Sequence, residues 1–446
     1  MIKEMEFEGR VIGLHDNDLN ISKNSFTIIV GKNGAGKSRF LRQLTHECIR
    51  SKVTSEQSTV VGTLPQNVIA ASTSPFDRFP IGSFSNLRSG DTYVDEAQGY
   101  YFYQGLRGLF SPNLSMSFMV RIIAAVFRAL MNNAERLSAI MDVLAYLGFE
   151  REMSIKLSCS ITRSTLERLA EDGGFDKYKD KNRGVGVEAK RLISRLAEEP
   201  EERTSEIVEA IKYYLLISNV KPLEFALSIN SVKIVEQLDE RLIVLMEYGV
   251  LKLRHLSLHK AGIRKALRIN DASSGEQCVV LTMLGIAARI KDGSLICIDE
   301  PEICLHPEWQ ERYIKLLMST FQDFHSCQFI VATHSPQIVS RLGSENCYVL
   351  DLQNNSLQPA KVFNNRSVDF QLAQVFNAPG FKNEYMMREL LSVVGTLSSG
   401  QDLNHNQADF IEAAKALRSA FSSDDPVLHL IDMVVEALEI KGAKGA

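Results

Sequence analysis

Several features that mark specialised classes of protein are scarce in this chain. Its 446 residues include seven cysteines, one tryptophan and no strong excess of either charge, with 50 Lys and Arg against 54 Asp and Glu. The cysteines are dispersed without a Cys-x-x-Cys pair, which fits reduced thiols and excludes a disulfide scaffold or a zinc site. The balanced charge excludes a globally basic nucleic-acid binder, so any such contact would need a local patch.

Long hydrophobic runs are also missing. The longest apolar stretch, Phe118 to Met131, is interrupted by Arg121 and Arg128, whereas a membrane span needs ~20 apolar residues. The N-terminus lacks the apolar run of a secretory signal. We therefore expect a cytoplasmic protein without membrane contact.

The composition that remains is typical of a folded, globular protein. Hydrophobic residues make up 45% of the chain and charged residues 23%, which is close to the average for such proteins and excludes a mostly disordered chain. At ~100–200 residues per domain, the length predicts two or three domains.

The first informative motif is Gly31–Ser38, GKNGAGKS, which matches GxxxxGK[ST]. Ser25–Val30 predicts a buried strand before it, and a helical pattern follows to about Arg50. In that context the loop wraps the phosphates of ATP with backbone N–H groups, the lysine contacts the β and γ phosphates, and the serine ligates Mg²⁺. The predicted nucleotide-binding residues are Gly31, Lys32, Asn33, Gly34, Ala35, Gly36, Lys37, Ser38 and Arg39.

Two further strand ends carry candidate catalytic groups. The apolar run Ser294–Ile298 predicts a strand that ends in Asp299 and Glu300. With the phosphate loop upstream, we expect Asp299 to hold Mg²⁺, mostly through water, and Glu300 to polarise the attacking water as general base. A later predicted strand, Phe329–Ala332, is followed by His334, which is placed to sense the γ-phosphate.

A serine-capped helix start, Ala272–Gln277, lies upstream of Glu300. Free backbone N–H groups at a helix start can bind a phosphate. The segment resembles the LSGGQ signature of ABC-type ATPases, with Ser273 in place of leucine and Glu276 in place of the second glycine. The resemblance implies nucleotide contacts from Ser274, Gly275 and Gln277.

A second segment, Leu397–Gln401, is superficially closer to LSGGQ. It follows His334 in the chain and lies at the end of a helical pattern. We therefore interpret it as a helix stop with Gly400 near the C-cap.

The order of phosphate loop, signature, acidic strand and histidine resembles an ABC-type ATPase head of the SMC, RecF and OLD kind. The segments DEPEICLHP at 299–307 and ATHSP at 332–336 are similar to that branch in particular. The resemblance covers roughly 1–100 and 220–360. It implies an α/β fold, in which a parallel sheet is flanked by helices and joined by antiparallel strands.

The resemblance also implies a domain organisation. We expect the ATPase head to be formed by 1–100 and 223–362, a mainly helical insertion by 101–222, and a helical assembly or partner-binding region by 363–446. Within the last region, the apolar spacing along Asp425–Lys441 predicts a helix whose apolar stripe must be buried, either on this chain or on a partner.

The finer resemblance concerns function. STSPFDRFP at 72–80 and the helical tail look most like the PtuA ATPases of bacterial Septu anti-phage systems. That family implies a partner HNH nuclease (PtuB), head-to-head dimers or higher oligomers around ATP, and DNA contact through the complex. Two alternatives stay open, a self-sufficient OLD-like nuclease and a RecF-like DNA-repair ATPase.

Two local features bear on these expectations. ABC-type ATPases usually carry a glutamine after the strand that here ends in Ser72 and Thr73, while Gln66 precedes that strand. Either a hydroxyl substitutes or hydrolysis is slow. The charged loop Lys177–Arg183 could touch DNA phosphates or be a solvated loop.

Overall fold

Strands and helices are interspersed along most of the chain in the computed structural model. It describes residues 1–54, 59–81, 99–107, 114–171, 186–197, 199, 201–218, 222–229, 238–262, 266–343 and 345–444. The strands are β1 (Ile2–Phe7), β2 (Arg10–Gly13), β3 (Ser25–Val30), β4 (Val60–Gly62), β5 (Val68–Ser72), β6 (Tyr101–Gln104), β7 (Phe149–Cys159), β8 (Leu223–Ser228), β9 (Leu251–Lys260), β10 (Ala266–Arg268), β11 (Leu295–Asp299), β12 (Gln328–Ala332), β13 (Cys347–Asp351) and β14 (Ser356–Pro359). The helices are α1 (Lys37–Val53), α2 (Leu114–Asn132), α3 (Arg136–Tyr146), α4 (Arg163–Ala170), α5 (Val187–Leu196), α6 (Glu201–Ile217), α7 (Glu240–Glu247), α8 (Ser274–Arg289), α9 (Pro307–Thr320), α10 (Pro336–Ser340), α11 (Val368–Gln374), α12 (Glu384–Ser398), α13 (His405–Ala416) and α14 (Pro426–Lys444).

A seven-stranded sheet forms the centre, in the order β14-β13-β3-β12-β11-β5-β6. All neighbouring pairs are parallel except β13 and β14. Every residue of β3, β5, β11 and β12 is buried, because helices cover both faces, as near-continuous apolar runs predict. The predicted α/β fold with a parallel sheet is confirmed.

The register of the central sheet brings several strand ends to one edge. Asp299 pairs with Ser72 on one side and with Ala332 on the other, and Ala332 pairs with Ile29. The segments that follow β3, β12, β11 and β5 therefore leave the sheet side by side. This is the edge at which parallel α/β sheets bind ligands.

Two apolar cores lie on opposite faces of the sheet. In β11, Ile296 and Ile298 belong to the core shared with α2, α3, α8 and α9, whereas Leu295 and Cys297 belong to the core beneath α1. The antiparallel sheet β2-β1-β4 closes the α1 side, and a second antiparallel sheet, β10-β9-β7-β8, packs on the other. The period-two alternation of strand side chains explains this division.

The described part of the region from 101 to 222 contains two strands among its helices. Its β6 joins the central sheet beside β5, and its β7 is a long strand between β8 and β9. In β7, buried Met153, Ile155 and Leu157 alternate with partly exposed Ser154 and Lys156. That period-two pattern lies between helical patterns, which explains why the sequence predicts helix across it.

The C-terminal helices form a unit with its own core. Side chains of α11, α12, α13 and α14 make a separate apolar cluster, in which Val427, Ile431 and Val434 of α14 are buried. The predicted apolar stripe is thus covered by neighbouring C-terminal helices. The predicted helix stop is also confirmed, since α12 ends at Ser398 and Gly400 has a φ of +76°.

Two further sequence features are the charged loop and the scarcity of long apolar runs. The charged loop Lys177–Arg183 lies outside the described residues. Among the described residues, no helix has the length and apolar character that crossing a bilayer would require.

Candidate nucleotide site

The phosphate loop connects β3 to α1 and depends on its glycines. Gly36 forms the N-cap of α1 with a φ of +97°, and Gly34 has a φ of +83°. Side chains are disfavoured in this left-handed region, so glycine is required. The loop thereby brings backbone N–H groups to the start of a helix, where the helix dipole favours an anion such as a phosphate.

Lys37 is the cation of this loop and is only 5% exposed. Its Nζ donates a hydrogen bond to the Gly31 carbonyl at 3.0 Å and lies 2.6 Å from Nε2 of His334. Burial lowers the pKa of Lys37, while Glu300, Glu302 and Asp299 act in the opposite direction. The ammonium is therefore held close to three carboxylates.

Ser38 and Asp299 form the candidate metal site. The Ser38 hydroxyl donates to Oδ1 of Asp299 at 3.1 Å, and Asp299 is 2% exposed. Burial raises the pKa of Asp299 to about 7, and the charges of Glu300 and Asp77 add to the effect, although the bond from Ser38 opposes it. A cation would relieve this concentrated negative charge, and these oxygen donors are the type that Mg²⁺ prefers, so the residues fit Mg²⁺.

Glu300 adopts a backbone conformation that is uncommon for a residue with a side chain. Its φ is 49° and its ψ is 56°, in the left-handed region. The amide of Glu300 donates to the carbonyl of Ala332 at 2.9 Å. Its carboxylate, with the side chain 30% exposed, lies 3.9 Å from Nε2 of His334. Backbone strain of this kind accumulates at functional sites.

His334 completes the cluster from the end of β12. Burial lowers the pKa of its imidazole to about 4, and the neighbouring Lys37 charge acts in the same direction. The ring is therefore neutral at pH 7, and its Nε2 can accept a hydrogen bond from Lys37. Together, five predicted residues converge at one sheet edge: Lys37, Ser38, Asp299, Glu300 and His334.

Other predicted nucleotide residues lie around this cluster. Lys32, Asn33 and Gly34 are exposed on the loop, and Ala35 is partly exposed. Arg39 forms an exposed ion pair with Glu8 at 2.6 Å.

The signature residues are on a separate element, at the start of α8. Ser273 caps the helix by accepting from the amide of Glu276 at 3.2 Å, and Ser274 is exposed. Gly275 is buried against the backbone of Cys304, where a Cβ would come within 3.3 Å of the carbonyl oxygen. Gln277 donates to the backbone oxygens at Asn270 and Ala272. The side chain of Gln277 is thus engaged within its own segment.

The segment after β5 differs from the usual glutamine loop. The Ser72 hydroxyl donates to the Asp299 carbonyl at 3.2 Å, whereas Gln66 lies at the opposite end of β5, where its backbone amide donates to the Gly293 carbonyl. The buried Asp77 accepts from the Tyr103 hydroxyl at 2.6 Å, which orders this segment against β6. Sequence reasoning missed Asp77, although it lies inside the STSPFDRFP segment.

Sequence reasoning also missed Glu302, the second glutamate of DEPE. Its carboxylate accepts from the Thr333 hydroxyl and from the His334 amide. The sequence signal for Glu302 is an acid two residues beyond a predicted catalytic glutamate. The partners of Glu302 lie on another strand, so the sequence alone does not assign it a role.

Comparisons with known proteins show which sequences this chain is similar to. Residues 165–340 match the family described as "AAA domain, putative AbiEii toxin, Type IV TA system". The Retron Ec83 probable ATPase of Escherichia coli is 26% identical over 377 residues, which is 75% of this chain and 68% of that protein. The Retron Vc95 probable ATPase of Vibrio cholerae serotype O1 biovar El Tor is 27% identical over 108 residues, which is 22% of this chain and 20% of that protein.

Among solved structures, the Smc head domain of Pyrococcus furiosus, with an extended coiled coil and bound to the C-terminal domain of ScpA, matches with a TM-score of 0.29 and 12% identity. The match covers 80% of this chain and 95% of that one. In this chain, the parallel sheet carries a phosphate loop after β3 and an acidic pair at the end of β11.

Proposed function

We propose that this chain is an ATP-binding, slowly hydrolysing ABC-type ATPase subunit of a bacterial anti-phage defence complex. One observation carries the ATPase proposal: the phosphate-loop lysine and serine, two acids and a histidine meet at one sheet edge. The similarity to two retron probable ATPases supports the defence context.

Each residue has a role that follows from its place. Lys37 and the loop N–H groups bind the β and γ phosphates. Ser38 and Asp299 hold Mg²⁺, which when bound neutralises charge on the phosphates. Glu300 orients the attacking water, and neutral His334 contacts the γ-phosphate. Slow turnover is expected because Ser72, at the position of the usual glutamine, already donates its hydroxyl to a backbone carbonyl.

Two heads are needed to complete the site. Ser274 is exposed at the start of α8, where free N–H groups can bind a phosphate. We propose that Ser274, Gly275 and Gln277 of one subunit face the ATP held by the other. The heads then close into a dimer, from which higher oligomers can be built.

The domain organisation is proposed in the same terms. The head consists of 1–100 and 223–362, with β6 added to it, and the remainder of 101–222 is the insertion. The unit from 363 to 446 serves assembly or binds a partner HNH nuclease of the PtuB type, as in Septu systems. DNA is contacted through that complex.

Nucleotide binding can be tested directly. Titration with a fluorescent ATP analogue and Mg²⁺ should show at least about a tenfold loss of affinity for Lys37→Ala, because a buried cation opposite the phosphates is removed. The exposed Lys361→Ala is the matched control and should bind as wild type. Glu300→Gln should bind normally but accumulate the ATP-bound form. Unchanged affinity in Lys37→Ala would refute the site.

The partner proposal needs a different experiment. Affinity purification from the native host, followed by mass spectrometry, should recover an HNH nuclease. The purified chain alone should then leave plasmid DNA uncut. Nuclease activity of the chain alone would favour the OLD-like alternative, and recovery of repair proteins without a nuclease would favour the RecF-like one.

A further inference from the structure

Glu302 connects the two strand ends that carry Glu300 and His334. It lies in the 3₁₀ turn Pro301–Cys304, directly after β11. Its carboxylate accepts a hydrogen bond from the Thr333 hydroxyl at 2.8 Å and another from the His334 amide at 2.5 Å. Both donors belong to the segment that follows β12, so one side chain spans neighbouring parallel strands.

The surroundings of Glu302 disfavour the charged form of its carboxyl group. Burial raises the pKa of Glu302, and the charge of Glu300 acts in the same direction, whereas the hydrogen bonds from His334 and Thr333 oppose it. A carboxylate offers acceptors only, which suits two donors converging on it. Such charge-assisted bonds are shorter and stronger than neutral ones.

The segment after β12 is also held from its other side. The Ser335 amide donates to the Thr333 hydroxyl oxygen at 2.9 Å, and the Ser335 hydroxyl donates to Gln310 at 2.7 Å. Gln310 in turn donates to the Leu305 carbonyl at 2.9 Å. The backbone on both sides of the His334 side chain is therefore anchored to the segment that follows the acidic strand.

We propose that Glu302 is a positioning residue, which holds the Thr333–His334 backbone so that the His334 imidazole stays beside Lys37 and Glu300. Its effect on turnover rests on the proposed ATPase function. A misplacement of a catalytic group by ~1 Å can cost ~100-fold in rate. The imidazole has little freedom to compensate, because its Nε2 lies 2.6 Å from Nζ of Lys37.

The variant Glu302→Gln tests this proposal. The amide keeps the size of the side chain but has one acceptor oxygen in place of two, so one of the two bonds is lost. We expect kcat for ATP to fall about 10-fold to 100-fold while KM changes less than about twofold. The substitution disturbs the orientation of the His334 imidazole but leaves the groups that bind ATP in place. The exposed Glu308→Gln removes the same charge nearby and should leave both constants unchanged.

A double-mutant comparison separates positioning from general stability. In a His334→Ala background, Glu302→Gln should cause no further loss of kcat, because the group it positions is absent. Thr333→Val removes the hydroxyl that donates to Glu302 and accepts from the Ser335 amide, and it should show a loss of kcat in the same direction. It also provides a second probe if Glu302→Gln folds poorly.

A second readout does not depend on hydrolysis. The protein contains nine histidines, and the ring signal of His334 in histidine-labelled protein can be assigned by its loss in His334→Ala. Without nucleotide, this signal should move in Glu302→Gln and stay in place in Glu308→Gln. An unmoved signal, or an equal loss of kcat with and without His334, would overturn the proposal. If the wild type does not hydrolyse ATP, the proposed function fails, and the ring signal alone still decides whether Glu302 positions His334.

Discussion

Replacing Asp299 with asparagine should stabilise the nucleotide-free protein, even though Asp299 is a proposed Mg²⁺ ligand. The carboxyl is 2% exposed, and burial raises its pKa from the ordinary 3.8 to about 7. Because the folded state holds this proton more tightly than the unfolded state, the contribution of Asp299 to stability falls as pH rises between about 4 and 7. The asparagine side chain has no charge to bury, so the variant avoids that loss.

The size of the effect follows from the same pKa change. One pKa unit corresponds to ~1.4 kcal/mol, so the ionised carboxyl costs up to about 4 kcal/mol above pH 7. Relaxation of neighbouring groups reduces this figure, and about 1–4 kcal/mol is the expected range. For a chain of this size, that stabilisation corresponds to a rise in Tm of several degrees.

Thermal melts at pH 5 and pH 8 provide the assay. Asp299→Asn should melt above wild type at pH 8, and by a smaller margin at pH 5, where the folded carboxyl is still protonated. Addition of Mg²⁺ and ATP should raise the Tm of wild type and have little effect on the variant. The exposed Asp323→Asn is the matched control and should melt like wild type. A lower Tm for Asp299→Asn at pH 8, or a margin that does not grow with pH, would contradict the reasoning.

Two further predictions concern assembly. Ser274→Arg should bind ATP as a single head but fail to dimerise with non-hydrolysable ATP in mass photometry, whereas Ser399→Arg, in the superficially similar segment, should dimerise as wild type. The reverse result would move the signature to that segment. Truncation after Asn377 removes most of the C-terminal core as one unit and should keep ATP binding while losing higher assembly in size-exclusion chromatography. The protein truncated after Gln401 should instead aggregate, because the truncation exposes buried Leu390 and Val393. If this protein stays monodisperse, the C-terminal helices do not share a separate core.

The phosphate loop and the acidic strand could be predicted because their signals are local. GKNGAGKS specifies left-handed glycines and a helix start within eight residues, and Leu295–Ile298 is a continuous apolar run. Those features depend on neighbours in the chain. By contrast, the sequence does not predict β7, because its clear alternation is confined to Met153–Leu157 and lies between helical patterns.

Contacts between distant segments could not be predicted in the same way. The sequence by itself determined which residue types stand at the ends of β3, β11 and β12. Only the tertiary structure decided that Lys37 contacts His334, that Asp77 lies near Asp299, and that Glu302 bonds to His334. Each pair depends on strand order, since β12 lies between β3 and β11, and β5 lies beside β11, although these strands are far apart in sequence. Local pattern sets what a strand carries, whereas packing of the whole sheet sets which strands are neighbours.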